Sequence, residues 1–136
     1  VQGYGDASYA HSLLKQFKGE WVYNTDWKMI NGHPKKAGWI KAIQEAQQTV
    51  QKGLKLDCPI LVMSSNKSFP ETETWHEEYM TSDIVLDVQD IQKYGEKLGD
   101  KVTRDTIPNG IHDLILSQKP YRNDAYQTIF EWLKKQ

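Results

Sequence analysis

Apolar positions in residues 6–17, "DASYAHSLLKQF", fall at Tyr9, Leu13, Leu14 and Phe17 behind Asp6, a spacing that predicts a short amphipathic helix capped by that aspartate. The following segment, "KGEWVYNTDWKMINGHP", has no helical period. Trp21, Tyr23 and Trp27 crowd there between turn residues, so an irregular or short-strand connection is expected. After Pro34 the period returns: Trp39, Ile43, Ala46 and Val50 share one face, and Gly53 supplies the stop, predicting a second helix.

The pattern then changes. "CPILVMSS" carries an unbroken apolar run with no alternation, as expected of a strand buried on both faces inside a parallel sheet. Residues 66–82 are polar and turn-rich and read as a loop with at most one helical turn. From Asp87 onward Val88, Ile91, Tyr94 and Leu98 repeat every three or four residues up to Gly99, predicting a helix whose N-cap is Asp87. "KVTRDTI" is β-branched and alternating, a second strand that ends at "PNG". Tyr126, Ile129, Phe130 and Leu133 mark a closing helix. The order helix, strand, helix, strand, helix implies an α/β architecture with two adjacent parallel strands joined by a right-handed crossover. Two strands leave the wholly apolar first one with a bare edge, which points to sheet lying upstream. The opening Val1-Gln2-Gly3-Tyr4-Gly5, without a methionine, also suggests a chain entered midway, a fragment of a larger domain.

Composition narrows the function classes. Seventeen basic and eighteen acidic residues give a net charge of -1 without a basic stripe, which argues against nucleic acid as a partner. No apolar run approaches the length of a membrane span and no signal segment opens the chain, so a soluble, cytoplasmic protein is expected. Cys58 is the only cysteine and reads as a small structural hydrophobe. His11, His33 and His76 lack partners at ligand spacing, and "HEEY" lacks the second histidine of a zinc-protease helix, so neither a metal nor another cofactor is expected. Ser64 and Ser65 lack a glycine elbow and read as strand termination.

The candidate chemistry lies beyond the carboxyl ends of the strands, where loops of open α/β sheets converge on a crevice. His112 stands five residues past Ile107 on such a loop. Asp83 occupies the loop that leads from the other strand towards the next helix. The 29 positions between them suit one helix, one strand and their turns, so carboxylate and imidazole can meet at one end of the sheet as an acid–base pair. The carboxylate would hold the Nδ1 proton, leaving Nε2 to accept a proton from a nucleophile. Asp113 can pair with a nearby base or face solvent, and an extended turn, which would point its side chain away from that of His112, favours solvent.

"CPILVM", then "SDIVLDVQDI" leading into a helix, then "GIHDLILS" and a closing helix ending in "IFEWL" resemble the C-terminal part of an alpha/beta-hydrolase. The chain is most similar to the lysophospholipase or monoacylglycerol-lipase-like, serine aminopeptidase-like branch of the serine hydrolases. The resemblance covers residues 54–136 by order of elements. It implies that Asp83, in Asp83-Ile84-Val85-Leu86, is the acid and that His112, in Gly110-Ile111-His112, is the base of a Ser-His-Asp system cleaving carboxylic esters. It also implies that residues 1–35 end a cap and residues 36–136 form the C-terminal part of the hydrolase core. Trp21 and Trp27 would then be candidates for lining an acyl-binding cleft, and an ester or lipid-like small molecule would be the substrate.

Two departures qualify the likeness. The loop before Asp83 is longer than the family's short Gly-x-x-Asp turn, which keeps Asp87 as an alternative acid. No Gly-x-Ser-x-Gly occurs in the chain, so nucleophile and oxyanion hole would lie upstream of Val1 and the chain alone would be inactive. The expected macromolecular partner is the N-terminal part of the same protein, or a second copy meeting the bare strand edge. The alternative is a non-catalytic α/β binding or interaction module in which His112 is incidental.

Overall fold

A computed structural model describes residues 7–136, so the expected Asp6 cap lies outside the described residues. Within them the chain is a mixed helix and strand structure: α1 (Ser8–Leu13), α2 (Ala37–Lys52), β1 (Ile60–Ser65), α3 (Val88–Gly95), β2 (Val102–Ile107) and α4 (Lys119–Leu133). Among the described residues no helix is long and apolar enough to cross a membrane.

β1 and β2 form a two-stranded parallel sheet, in register from Ile60 opposite Val102 to Ser65 opposite Ile107. Alternation along the strands assigns the helices to faces. On one face Arg104 donates to the Gln92 carbonyl of α3, and Gln92 donates to Ser64 Oγ. On the other, Trp132 of α4 donates to Thr103 Oγ1. α3 starts where the aspartate pattern says it should, with Asp87 Oδ1 accepting from the Gln89 amide at 2.8 Å. It ends at Gly95, where a Cβ would come within 2.7 Å of Val62 Cγ1, so the glycine lets the helix lie close on the sheet.

Two expectations change. The first helix is shorter than the apolar spacing suggests. After Leu13 the backbone turns back, Gly19 passes so close to the Leu13 carbonyl that a Cβ there would collide with it, and Leu14 bridges to Trp21. Phe17 therefore leaves the helix, is 44% exposed and stacks on His11. β1 is not buried on both faces: Ile60 to Met63 are only half-buried, and full burial begins at Ser64 and Ser65. A sheet of two strands has no neighbour to cover the outer edge of β1.

α2 explains the rest of that exposure. Its C-terminal end is tied down, with Gly53 at φ +96° ending it, the Leu54 amide donating to the Lys97 carbonyl and Lys97 Nζ donating to the Gln51 carbonyl. Its body has no buried residue; Trp39, Ile40 and Ile43 remain exposed, and the helix borders an apolar groove of about 480 Å³ floored by Val62 and walled by Ile43, Val50, Ile91, Tyr94 and Leu98. The best-buried side chains lie elsewhere. Leu13 of α1, Tyr79, Ile107 at the end of β2, Ile111 of the loop that follows it and Ala125 of α4 are all 2% exposed or less.

Candidate active site

The 66–82 segment decides where Asp83 stands. Just past β1, Ser68 forms a parallel backbone bridge to Asp83; the Phe69 amide donates to the Asp83 carbonyl at 2.9 Å and the Asp83 amide to the Lys67 carbonyl at 3.0 Å. The chain thus leaves the end of β1 and returns to within one backbone rung of it. The excursion is filled by its own rings: Phe69, Trp75 and His76 each pack on Tyr79, which is fully buried in a 3₁₀ turn, Glu77–Met80. The Tyr79 hydroxyl accepts from the Thr72 amide and donates to the Thr74 carbonyl. A loop longer than a tight turn therefore still delivers Asp83 to the end of the strand.

There the Asp83 side chain is 1% exposed. Its Oδ1 accepts from the amides of Val85 and Leu86, both at 2.8 Å, and its Oδ2 lies 2.9 Å from His112 Nδ1. The carboxylate is thus bonded through both oxygens, one to backbone and one to the imidazole.

His112 is presented by a turn that the sequence "PNG" builds. β2 ends at Ile107, Asn109 adopts φ +60° in the left-handed region that asparagine tolerates, and the Gly110 amide donates back to the Ile107 carbonyl. The Asn109 amide donates to Asn66 Oδ1 at 3.0 Å, joining the loops that follow the two strands. Beyond it the Ile111 amide donates to Ser117 Oγ, with Ser117 fully buried. The imidazole itself keeps 27% of its surface exposed. With Nδ1–H donating to the carboxylate, the neutral ring carries its lone pair on Nε2.

Electrostatics follow from these contacts. Burial pushes the Asp83 carboxyl up, but the His112 hydrogen bond, the Leu86 and Val85 amides and the imidazolium charge together outweigh it and hold the group below the usual carboxylate range. The bond to Asp83 raises His112 above the ordinary imidazole value against the opposing effect of burial, with the charges of Asp83 and Asp113 adding to the rise and Lys28 working against it.

The structure separates the two candidate acids: Asp83 meets His112, whereas Asp87 serves as the cap of α3. Trp21 donates Nε1–H to the Leu116 carbonyl at 2.7 Å and lies under the Arg122 guanidinium, so it ties the amino-terminal segment to the loop before α4. Trp27 is 82% exposed, and its carbonyl oxygen lies 3.0 Å from His33 Nε2. Ser64 Oγ donates to the Ser65 carbonyl and accepts from Gln92. Among the described residues no group of three or more His, Cys, Asp or Glu side chains could hold a metal ion.

Asp113 combines both readings: its side chain is 45% exposed, and it pairs with a base, Oδ2 lying 3.4 Å from Lys28 Nζ while also accepting from the Tyr9 hydroxyl at 2.7 Å. Tyr9 in turn packs edge-on to the His112 ring, with centroids 6.0 Å apart and an interplanar angle of 77°. Sequence reasoning missed Tyr9 and Lys28 because 104 and 85 positions separate them from Asp113, and no local pattern announces a contact at that range.

No family model matches the chain, and no curated protein and no solved structure matches it.

Proposed function

We propose that the chain supplies the acid, Asp83, and the base, His112, of a serine hydrolase that cleaves carboxylic esters through an acyl-enzyme. The observation that carries this reading is the 2.9 Å contact between His112 Nδ1 and a carboxylate that is 1% exposed and fixed by two backbone amides. A carboxylate so held fixes the imidazole tautomer and stabilises the imidazolium without taking its proton. Nε2 then removes the proton of a serine hydroxyl as the Oγ–carbon bond forms. The same proton passes to the leaving alkoxide as its carbon–oxygen bond breaks, and a water molecule repeats the sequence to release the acid.

On this reading residues 1–35 are the end of a cap and residues 36–136 the C-terminal part of the hydrolase core. The serine and its oxyanion hole come from an N-terminal segment of the same protein. A strand of that segment along the outer edge of β1 would satisfy the N–H and C=O groups that a parallel partner leaves facing outward. The substrate class follows from the resemblance in the sequence: an ester or lipid-like molecule.

The test is direct. The coding sequence upstream of Val1 should contain a strand, a Gly-x-Ser-x-Gly turn and a helix, and the full-length protein should hydrolyse a short-chain aryl ester. His112→Ala in that protein should lower kcat about 10⁴-fold or more with the fold retained. Equal turnover by the variant would overturn the reading. A natural start near Val1 would favour the binding module.

A further inference from the structure

We propose that Tyr9, Lys28 and Asp113 form a clamp that positions His112, with Tyr9 as the positioning residue that fixes the plane in which the imidazole presents Nε2. The inference rests on the acid–base role given to His112 above. A single hydrogen bond from Nδ1 to Asp83 constrains one combination of the two side-chain torsions and leaves the ring able to swing along the other. A second contact is needed to stop the swing, and the Tyr9 ring, edge-on at 6.0 Å, supplies it.

Tyr9 acts by shape. Its one hydroxyl proton goes to Asp113 Oδ2 at 2.7 Å, and the hydroxyl oxygen accepts from the Asp113 amide at 3.1 Å, so Tyr9 has no proton to give the imidazole. Burial, then the bond and charge of Asp113, push the phenol up, so it stays neutral at any working pH. Lys28 completes the clamp, its Nζ 3.4 Å from Asp113 Oδ2 and over the Tyr9 ring at 5.4 Å from the centroid. Stability is not a sufficient reason for this pair: its two side chains are 46% and 45% exposed, and pairs so exposed contribute at most about 1 kcal/mol. Its place beside His112 is the better one.

The charged groups that face the imidazole come from three parts of the chain: Asp83 from the return of the long loop, Asp113 from the loop of His112 itself, and Lys28 from the amino-terminal connection. Asp113 favours the imidazolium and Lys28 opposes it. Removing Lys28 must then raise the pH at which His112 becomes a base, and neutralising Asp113 must lower it. A role in folding alone predicts no such opposed pair of shifts.

The experiment uses the full-length protein with a short-chain aryl ester, together with the low-field proton resonance of His112 Nδ1–H. Tyr9→Leu, which removes the ring, should lower kcat about 10- to 100-fold, the scale of a misplacement of about 1 Å, with KM changed less than about twofold and the resonance broadened. Tyr9→Phe, which keeps the ring, should recover most of kcat. Lys28→Met should move the acidic limb of kcat/KM to higher pH, and Asp113→Asn to lower pH. Wild-type kcat and an unchanged resonance in Tyr9→Leu would overturn the clamp. Should Tyr9→Leu fail to fold, Lys28→Met at its exposed position decides, and an unmoved acidic limb overturns the proposal. If His112→Ala retains full turnover, the acid–base role fails by itself; the clamp is then judged on the resonance in Tyr9→Leu, which must broaden for it to stand.

Discussion

The carboxyl end of the sheet and its α2 flank both carry apolar side chains, yet they reach opposite states. At the carboxyl end, bonds that span tens of residues join Asp83 to His112 and Asn66 to Asn109, and Tyr79, Ile107, Ile111 and Ser117 are sealed from water. At the flank, a 16-residue helix with a regular apolar face buries none of its residues, although its C-terminal end is tied down. Periodicity predicts that an element has a face to bury. What lies opposite that face determines whether it is buried.

The sharpest way to break this contrast is through the pair at the closed end. Asp83→Asn should lower kcat of the full-length protein about 10⁴-fold while His112 keeps its place, because an amide can hold the ring in the wrong tautomer and cannot stabilise the imidazolium. The imidazole should also titrate nearer its ordinary value, which the pH dependence of its ring proton signals would report. In the wild type the pair has a definite pH signature. Asp83, held low, contributes stability that is present above the ordinary carboxylate range and lost as pH falls through its lowered value. His112, held high, contributes stability that is complete below the ordinary imidazole value and lost as pH rises through its raised one. Denaturant titrations comparing wild type with Asp83→Asn should therefore differ most between about pH 4 and 6.5.

Tyr79→Ala comes next. It removes a fully buried ring from the excursion that returns Asp83 to the strand and should cost about 3–5 kcal/mol in chemical denaturation. Gly95→Ala should cost less, about 1–3 kcal/mol, since the added methyl meets Val62 across the α3–β1 contact and the two elements must move apart. The smallest effect belongs to the flank. Ile43→Ser on the 136-residue chain should cost only about 1 kcal/mol, since the side chain is 38% exposed on an open groove. A cost of several kcal/mol there would mean that the face is covered in solution and that the contrast is false.

The sequence made local matters legible and hid those settled at a distance. The face shared by Trp39, Ile43, Ala46 and Val50 marks α2, and the Asp87 carboxylate marks the start of α3, because each signal lies within the element it specifies. The meeting of Asp83 with His112 was readable one level higher, from topology: loops at the same ends of adjacent parallel strands must converge. The early end of α1 was not readable, because it depends on Gly19 passing across the Leu13 carbonyl. The burial of β1 was misread because an unbroken apolar run reports what a strand would bury in a full sheet. Nothing near Asp113 in the sequence points to Tyr9.

The backbone rung between Ser68 and Asp83 makes the fourteen residues from Phe69 to Ser82 into a handle whose two ends are fixed to each other. The length of a handle is a free variable: doubling such a loop costs only about 0.6 kcal/mol of closure entropy. Residues could be inserted or removed in the exposed part of the excursion, provided the bonds of Thr72 and Thr74 to Tyr79 are kept, while the carboxylate stays where the rung puts it. Architecture of this kind separates the heritable variability of a surface from the fixity of the residue it carries. The excursion can thus change what surrounds this end of the sheet without resetting the position of Asp83.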